Sequence, residues 1–260
     1  MIALQKNNEI ISKYNEWLNT TKTKLYAHFD KNQTNWITQT NREKIQEFLF
    51  PTSYGKCAYC ERTPNDGGGN IEIEHIVAKT KNRDLVFSIE NLLPSCKQCN
   101  TVKGKKDSVG ILNPYNESSF KEHLELEILT MKISGLSESG KKTIKILNLS
   151  INAKDFRIDK KYFKGAVNCR IKIKVFIDKA LNIKKKHKEN QSIDCLFDEL
   201  KALIELIDVE SANTSTYATY LLNNQIFIDL VDFIKLNDEN KFNEIDLLIK
   251  DKAKYCIAIN

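Results

Sequence analysis

No apolar run in this 260-residue chain approaches the roughly 18 residues of a membrane span. The opening Met1-Ile2-Ala3-Leu4-Gln5-Lys6 lacks the long apolar segment of a secretory signal, so the expected compartment is the cytoplasm, away from any membrane. Proline is scarce, with four residues and none after Pro114, which favours a compact helical bundle in the second half. No Gly-rich Lys-Ser/Thr phosphate loop occurs, so any nucleotide hydrolysis is expected from a partner. Charge of one sign is also short: the formal net charge is +6, carried mostly by lysine. That balance is compatible with a polyanion partner and does not by itself specify one.

Cysteine is present in a pattern. Seven occur, four of them in two Cys-x-x-Cys pairs, Cys57/Cys60 and Cys96/Cys99. In a reducing compartment paired cysteines read as metal ligands rather than disulfides. A structural zinc ion takes four ligands at tetrahedral corners, and a two-residue gap lets each pair clasp it from a knuckle turn. The long separation between the pairs leaves room for an inserted hairpin. Zinc binding would also fold a glycine-rich region with little apolar mass of its own. Cys169, Cys195 and Cys256 stand singly and read as small apolar core residues.

Around this cassette the chain reads as helix. Ile10, Ile11, Tyr14, Trp17, Leu18, Leu25 and Phe29 recur at three- and four-residue spacings. A second helix is expected from about Thr40 to just before Pro51. These two helices read as a lid or brace, and His28 within them as structural. Ile71–Val77 alternates apolar and polar, so it predicts a strand with Ile71, Ile73 and His75 on one face and Glu72, Glu74 and Ile76 on the other. A helix is expected from Cys96, ended by the Gly104–Gly110 stretch. Leu124, Leu126 and Ile128 predict a strand or two, and a helix is expected from Ser139 to near Asn148. Beyond Asn152 the text is helical: a lysine-rich 153–188, then 192–209, 214–236 and 241–256, with a loop at 237–240.

The polar residues of the cassette carry chemistry. Phosphodiester hydrolysis requires a water stripped of a proton and a positive charge to stabilise phosphate and leaving oxygen. Neutral imidazole suits the first task and a divalent ion the second. His75 is the one histidine between the two cysteine pairs and follows a carboxylate. Lys103, Lys105 and Lys106 come after the second pair, where contact with a nucleic-acid backbone competes with ordinary solvation.

The pattern Cys57-x-x-Cys60, Glu74-His75, Asn91, Cys96-x-x-Cys99-Asn100-x-x-Lys103 resembles the HNH endonuclease family in its zinc-stabilised form. The resemblance covers about fifty residues and implies two strands and a helix around one catalytic metal, the ββα-metal fold. It implies His75 as general base, Asn91 as the residue that pins the loop and orients the histidine, and Glu74 and Asn100 as ligands of a catalytic Mg²⁺ or Mn²⁺. Glu74 and His75 fall on opposite faces of a regular strand, so Glu72 stands as the fallback carboxylate. After the cassette, Asn113-Pro114, His123-Leu124, Gly140–Ile144 and Leu147–Leu149 resemble HNH subunits of bacterial anti-phage systems of the Septu and retron type. Those subunits work beside an ABC-type ATPase.

The expected fold is mainly α with a small ββα-metal zinc cassette and a helical bundle in the C-terminal region. The expected organisation is an N-terminal helical segment at 1–52, the cassette at 53–110 and a helical domain at 111–260. The expected function is metal-dependent cleavage of DNA with an ABC/SMC-type ATPase as partner. The rival is a four-cysteine zinc finger that binds nucleic acid or protein without cutting.

Overall fold

A computed structural model describes residues 1–64, 70–104, 106, 110–127, 132–149, 193–211 and 213–259, with scattered positions between 174 and 185. Most of the 153–188 segment, Cys169, Lys160, Lys161 and Lys105 lie outside the described residues. The described residues are mainly helical, with two small sheets.

Two helices come first, α1 (Asn8–Lys31) and α2 (Gln39–Leu49). Asn7 caps α1 by accepting from Ile10 N at 2.7 Å. The α1 stripe Tyr14, Leu25 and Phe29 packs with Ile45 and Leu49 of α2 against Ile73, Val86, Phe87 and Leu92. Each such fully buried side chain contributes about 1.5–3 kcal/mol relative to exposure. The pair therefore braces the cassette from one side.

The cassette is β1 (Ile71–His75), β2 (Leu92–Cys96) and α3 (Lys97–Lys103). The strands are antiparallel, with Ile71 opposite Cys96, Ile73 opposite Pro94 and His75 opposite Leu92. Strand β2 has no alternating pattern and carries a proline. It is tolerated because the sheet has only two strands, so both are edges. The Pro94 carbonyl accepts from Ala58 N at 2.9 Å, which ties the first knuckle to β2.

A second sheet joins β3 (Leu124–Glu127) to β4 (Lys132–Gly135), antiparallel, and to β5 (Ala258–Ile259), parallel. Helix α4 (Glu138–Leu147) follows, capped by Ser137 and closed by Asn148 in the left-handed region. Its buried face, Thr143, Ile144 and Leu147, packs near α3, and Leu112, Leu124 and Leu126 share a core with all four paired cysteines.

The C-terminal helices are α5 (Ile193–Glu205), α6 (Thr214–Leu222), α7 (Gln225–Asn237) and α8 (Glu239–Ala253). The expected 214–236 helix is two helices. Asn224 breaks it by turning its side chain back to Ile226 N and Phe227 N. The expected loop at 237–240 shrinks to a cap: Asp238 accepts from Lys241 N at 3.1 Å and α8 begins at once. Cys256 is buried in this core, whereas Cys195 is exposed on α5, against the expectation that it is a core residue.

Buried polar groups lock these helices to the knuckle. Lys56 Nζ donates to Ser211 O and Thr214 Oγ1, both at 2.9 Å. Glu61 accepts from Ser215 N at 2.9 Å at the start of α6, where the helix dipole favours an anion. Burial opposes that carboxylate, but the Met1 ammonium and Lys56 hold its pKa down to about 2.

Candidate metal centre and general-base site

The four paired cysteines converge. Their sulfurs all lie within 4.8 Å of one another and all four residues are buried. Cys60 Sγ and Cys96 Sγ are 3.8 Å apart, the edge expected of a tetrahedron with about 2.3 Å metal–sulfur bonds. The knuckle closes through Glu61 N to Cys57 O at 2.9 Å, with Glu61 at φ 58°. Cys96 caps α3, its sulfur accepting from Cys99 N at 3.4 Å. As free thiols the four are poorly matched. Crowding by Cys57, Cys60 and Cys96 pushes the Cys99 thiol well above its ordinary value. A zinc ion fits this donor set: it takes four thiolates, and the spacing is already made.

Arg62 completes this centre. It is fully buried, with Nε 3.5 Å from Cys60 Sγ and Nη2 2.7 Å from Gln98 Oε1. Four thiolates around Zn²⁺ carry two excess negative charges, and this guanidinium offsets part of them. Sequence reading missed Arg62, although its place two residues past Cys60 was visible.

Along β1 the alternation holds. Glu72 and Glu74 face α3. Asn100 Nδ2 donates to Glu72 Oε2 at 2.7 Å. Lys103 is fully buried, its Nζ donating to the Glu74 carboxylate and, at 2.7 Å, to the His75 carbonyl. Burial raises the Glu74 pKa to about 7, with Lys103 opposing that rise. The expectation that Lys103 contacts a nucleic-acid backbone is therefore corrected. Four helical residues after Cys99, its side chain turns inward beneath β1, where a carboxylate and a carbonyl take its protons. Lys106 is exposed and its Nζ reaches Ile146 O at 3.2 Å.

His75 points the opposite way. Its ring meets Trp36 edge-on at 4.6 Å, and Nε2 lies 3.0 Å from Val86 O. A carbonyl only accepts, so Nε2 holds the proton and Nδ1 keeps its lone pair. Burial lowers the His75 pKa to about 4, against the hydrogen bond to Val86. The ring is thus neutral at pH 7 and held in one tautomer. It makes no hydrogen bond to Asn100, Glu72 or Glu74. Trp36, from the turn between α1 and α2, was not singled out by the sequence; only packing brings it here.

Asn91 organises the connection between the strands. Its Oδ1 accepts from Val77 N at 2.7 Å, and its Nδ2 donates to Val77 O at 3.1 Å and Leu85 O at 3.0 Å. Its carbonyl accepts from Ile76 N at 2.9 Å. One buried amide thereby fixes both ends of the segment that carries Val86, the partner of His75.

The family model described as HNH endonuclease matches residues 57–106. The Septu protein PtuB of Bacillus thuringiensis is 32% identical over 153 residues, which is 58% of this chain and 55% of that protein. The chain thus spans about half the length of the curated relative it matches. No solved structure matches it. Residues 57–106, which hold the tetracysteine knot, the two strands and the helix that follows them, are thus similar to the HNH endonuclease family.

Proposed function

We propose that this chain is the nuclease of a Septu-type defence system and hydrolyses DNA phosphodiester bonds. The observation that carries the reading is His75: a buried, neutral, tautomerically fixed imidazole at the end of β1, within a cassette stapled by four cysteines. A zinc finger that only binds would gain nothing from burying such a group, because an unshifted surface histidine is cheaper to fold.

The residues divide the work. Nδ1 of His75 takes the proton of the attacking water, Val86 O holds the ring, and Asn91 holds the Val86 segment. Trp36 and Phe87 keep bulk water off the ring's other face. On the α3 side, Glu72, Glu74 and the Asn100 amide oxygen form a hard-oxygen donor set suited to Mg²⁺ or Mn²⁺. When bound, such an ion supplies charge stabilisation for the phosphate and the leaving oxygen. Lys103 pins Glu74 and the His75 carbonyl, which fixes the end of β1 between the two faces. The Cys57, Cys60, Cys96 and Cys99 zinc site is structural.

The sequence contains no phosphate-binding loop, and the resemblance to subunits that work beside an ABC-type ATPase makes such an ATPase the proposed partner. Cleavage of supercoiled plasmid with added Mn²⁺ tests the assignment of the oxygen face. Asn100→Ala is expected to lose Mn²⁺-dependent nicking while retaining one zinc per chain. Undiminished nicking would remove Asn100 from the site.

A further inference from the structure

We propose that helix α1 belongs to the general-base site: Tyr14, Tyr26 and Asp30 are positioning residues that set the Val86 carbonyl and, through it, the orientation and tautomer of the His75 ring. The inference rests on the nuclease reading above and extends its machinery beyond the cassette. His75 Nε2 lies 3.0 Å from Val86 O. Val86 lies outside helix and strand, just after the short 3₁₀ turn Arg83–Leu85. The place of its carbonyl therefore depends on what binds the residues around it.

Helix α1 grips this turn on both sides of Val86. Tyr14 is fully buried, and its hydroxyl donates to Phe87 O at 2.9 Å. The Tyr26 hydroxyl donates to Asp84 O at 3.0 Å. Asp30 accepts from Arg83 Nε at 2.8 Å and from Nη2 at 2.7 Å, a fork that fixes orientation as well as distance. The same guanidinium lies 4.5 Å from the centre of the Tyr26 ring. Because these groups share one helix, they tie residues 83–87 to a rigid rod rather than to another loop. From the cassette, Asn91 Nδ2 holds Leu85 O at 3.0 Å. Chemistry also explains a tyrosine at position 14. It sits in an apolar core with Leu25, Phe29 and Phe87, where a hydroxyl is costly to bury unless it finds a partner. The partner it finds is the carbonyl next to the one that holds His75. Trp36, just beyond α1, completes the grip by meeting the His75 ring edge-on at 4.6 Å. Misplacing a reacting group by about 1 Å costs on the order of a hundredfold in rate, so a clamp on this turn has a catalytic consequence.

The experiment uses the full chain with zinc bound and its histidines isotopically labelled, read by nitrogen NMR. The sequence has four histidines, and His75→Ala assigns the signal of interest. A protonated and a bare ring nitrogen give separate shifts, so the tautomer is read directly. Steady-state cleavage of a fluorescent DNA duplex with Mn²⁺ is measured on the same samples. The native ring is expected to carry its proton on Nε2. Tyr14→Phe is expected to mix the two tautomers and to lower kcat on the order of tenfold with KM unchanged. Tyr26→Phe/Asp30→Asn changes a half-buried and an exposed position and should move both readouts the same way by less. That second variant keeps the test open if Tyr14→Phe fails to fold. Glu9→Gln removes the exposed pair with Lys13 on the same helix and should change neither readout. A native ring protonated on Nδ1 overturns the proposal. So does a tautomer that stays fixed in the folded variants, whatever their rate, since a merely structural brace predicts that result. An active chain whose tautomer shifts with no change in kcat overturns it as well. A chain that cuts no duplex refutes the nuclease reading, and its tautomer signal still decides whether α1 sets the His75 ring.

Discussion

The two sides of the cassette solve opposite problems. On the thiolate side, four soft ligands are already gathered within 4.8 Å and a buried arginine balances them. On the oxygen side, each hard ligand is occupied by a neighbour: Glu72 by Asn100, and Glu74 by Lys103. A site that must exchange ions and substrate cannot be closed around one geometry. A site that must hold a fold together can. The comparison teaches that this cassette keeps its soft sulfur ligands and its carboxylates apart by partner: the thiolates cluster with one another, and each carboxylate is held by a side chain of α3.

The sharpest way to break the comparison is to remove the soft side. Structural zinc in comparable small sites contributes on the order of 10–16 kcal/mol. Cys96→Ser, or stripping zinc with a strong chelator, is expected to abolish the cooperative thermal transition of the cassette and lose the metal in native mass spectrometry. A folded, zinc-free cassette would show that the apolar core alone suffices.

Next comes the buried pair on the oxygen side. Removing one partner from such a pair costs about 3–5 kcal/mol, whereas replacing both with neutral residues costs much less. Lys103→Met is therefore expected to destabilise strongly and Lys103→Met/Glu74→Gln to recover most of the loss, both read by denaturant melts.

Proton linkage sharpens the contrast further. The His75 pKa is lowered to about 4, so its contribution is complete above the unfolded value near 6.5 and is lost as pH falls from there towards 4. The Glu74 pKa is raised to about 7, so its contribution is complete below about 4.5 and is lost as pH rises from there towards 7. The two slopes oppose each other over the shared window. In magnesium-free buffer the native chain should show a nearly flat stability between about pH 4.5 and 6.5, Glu74→Gln a rise with pH, and His75→Ala a fall, each by no more than a few kcal/mol. A variant profile parallel to the native one would contradict the burial assigned to that group.

A smaller effect belongs to Arg62. Partners of metal ligands typically affect affinity by about 10–100-fold. Arg62→Met should weaken zinc retention by that order in a competition titration with a coloured chelator, while leaving the cassette folded at saturating zinc.

Much of this was legible in the amino-acid order, and for stated reasons. Ligand spacing is local, so Cys57, Cys60, Cys96 and Cys99 could be assigned together. Alternation is local too, and it placed Glu74 and His75 on opposite faces of β1. Strand β2 was hidden because Leu92–Cys96 is apolar or small throughout, with no period to read. Lys103 was misjudged because lysines are solvated in most helices; only the register of α3 against β1 turns this one inward. Trp36 and Arg62 act through contacts that cross the cassette, and no spacing rule reports those. The three-stranded sheet was half visible: β3 and β4 alternate, but β5 is two residues that join from across the fold.

The central claim is that His75 is the proton acceptor of a divalent-dependent cleavage reaction. Supercoiled plasmid incubated with Mn²⁺ and equal amounts of native chain and His75→Ala, each carrying one zinc, tests it most directly. The account predicts a loss of nicking on the order of a hundredfold or more in the variant. Equal nicking by both chains would contradict it.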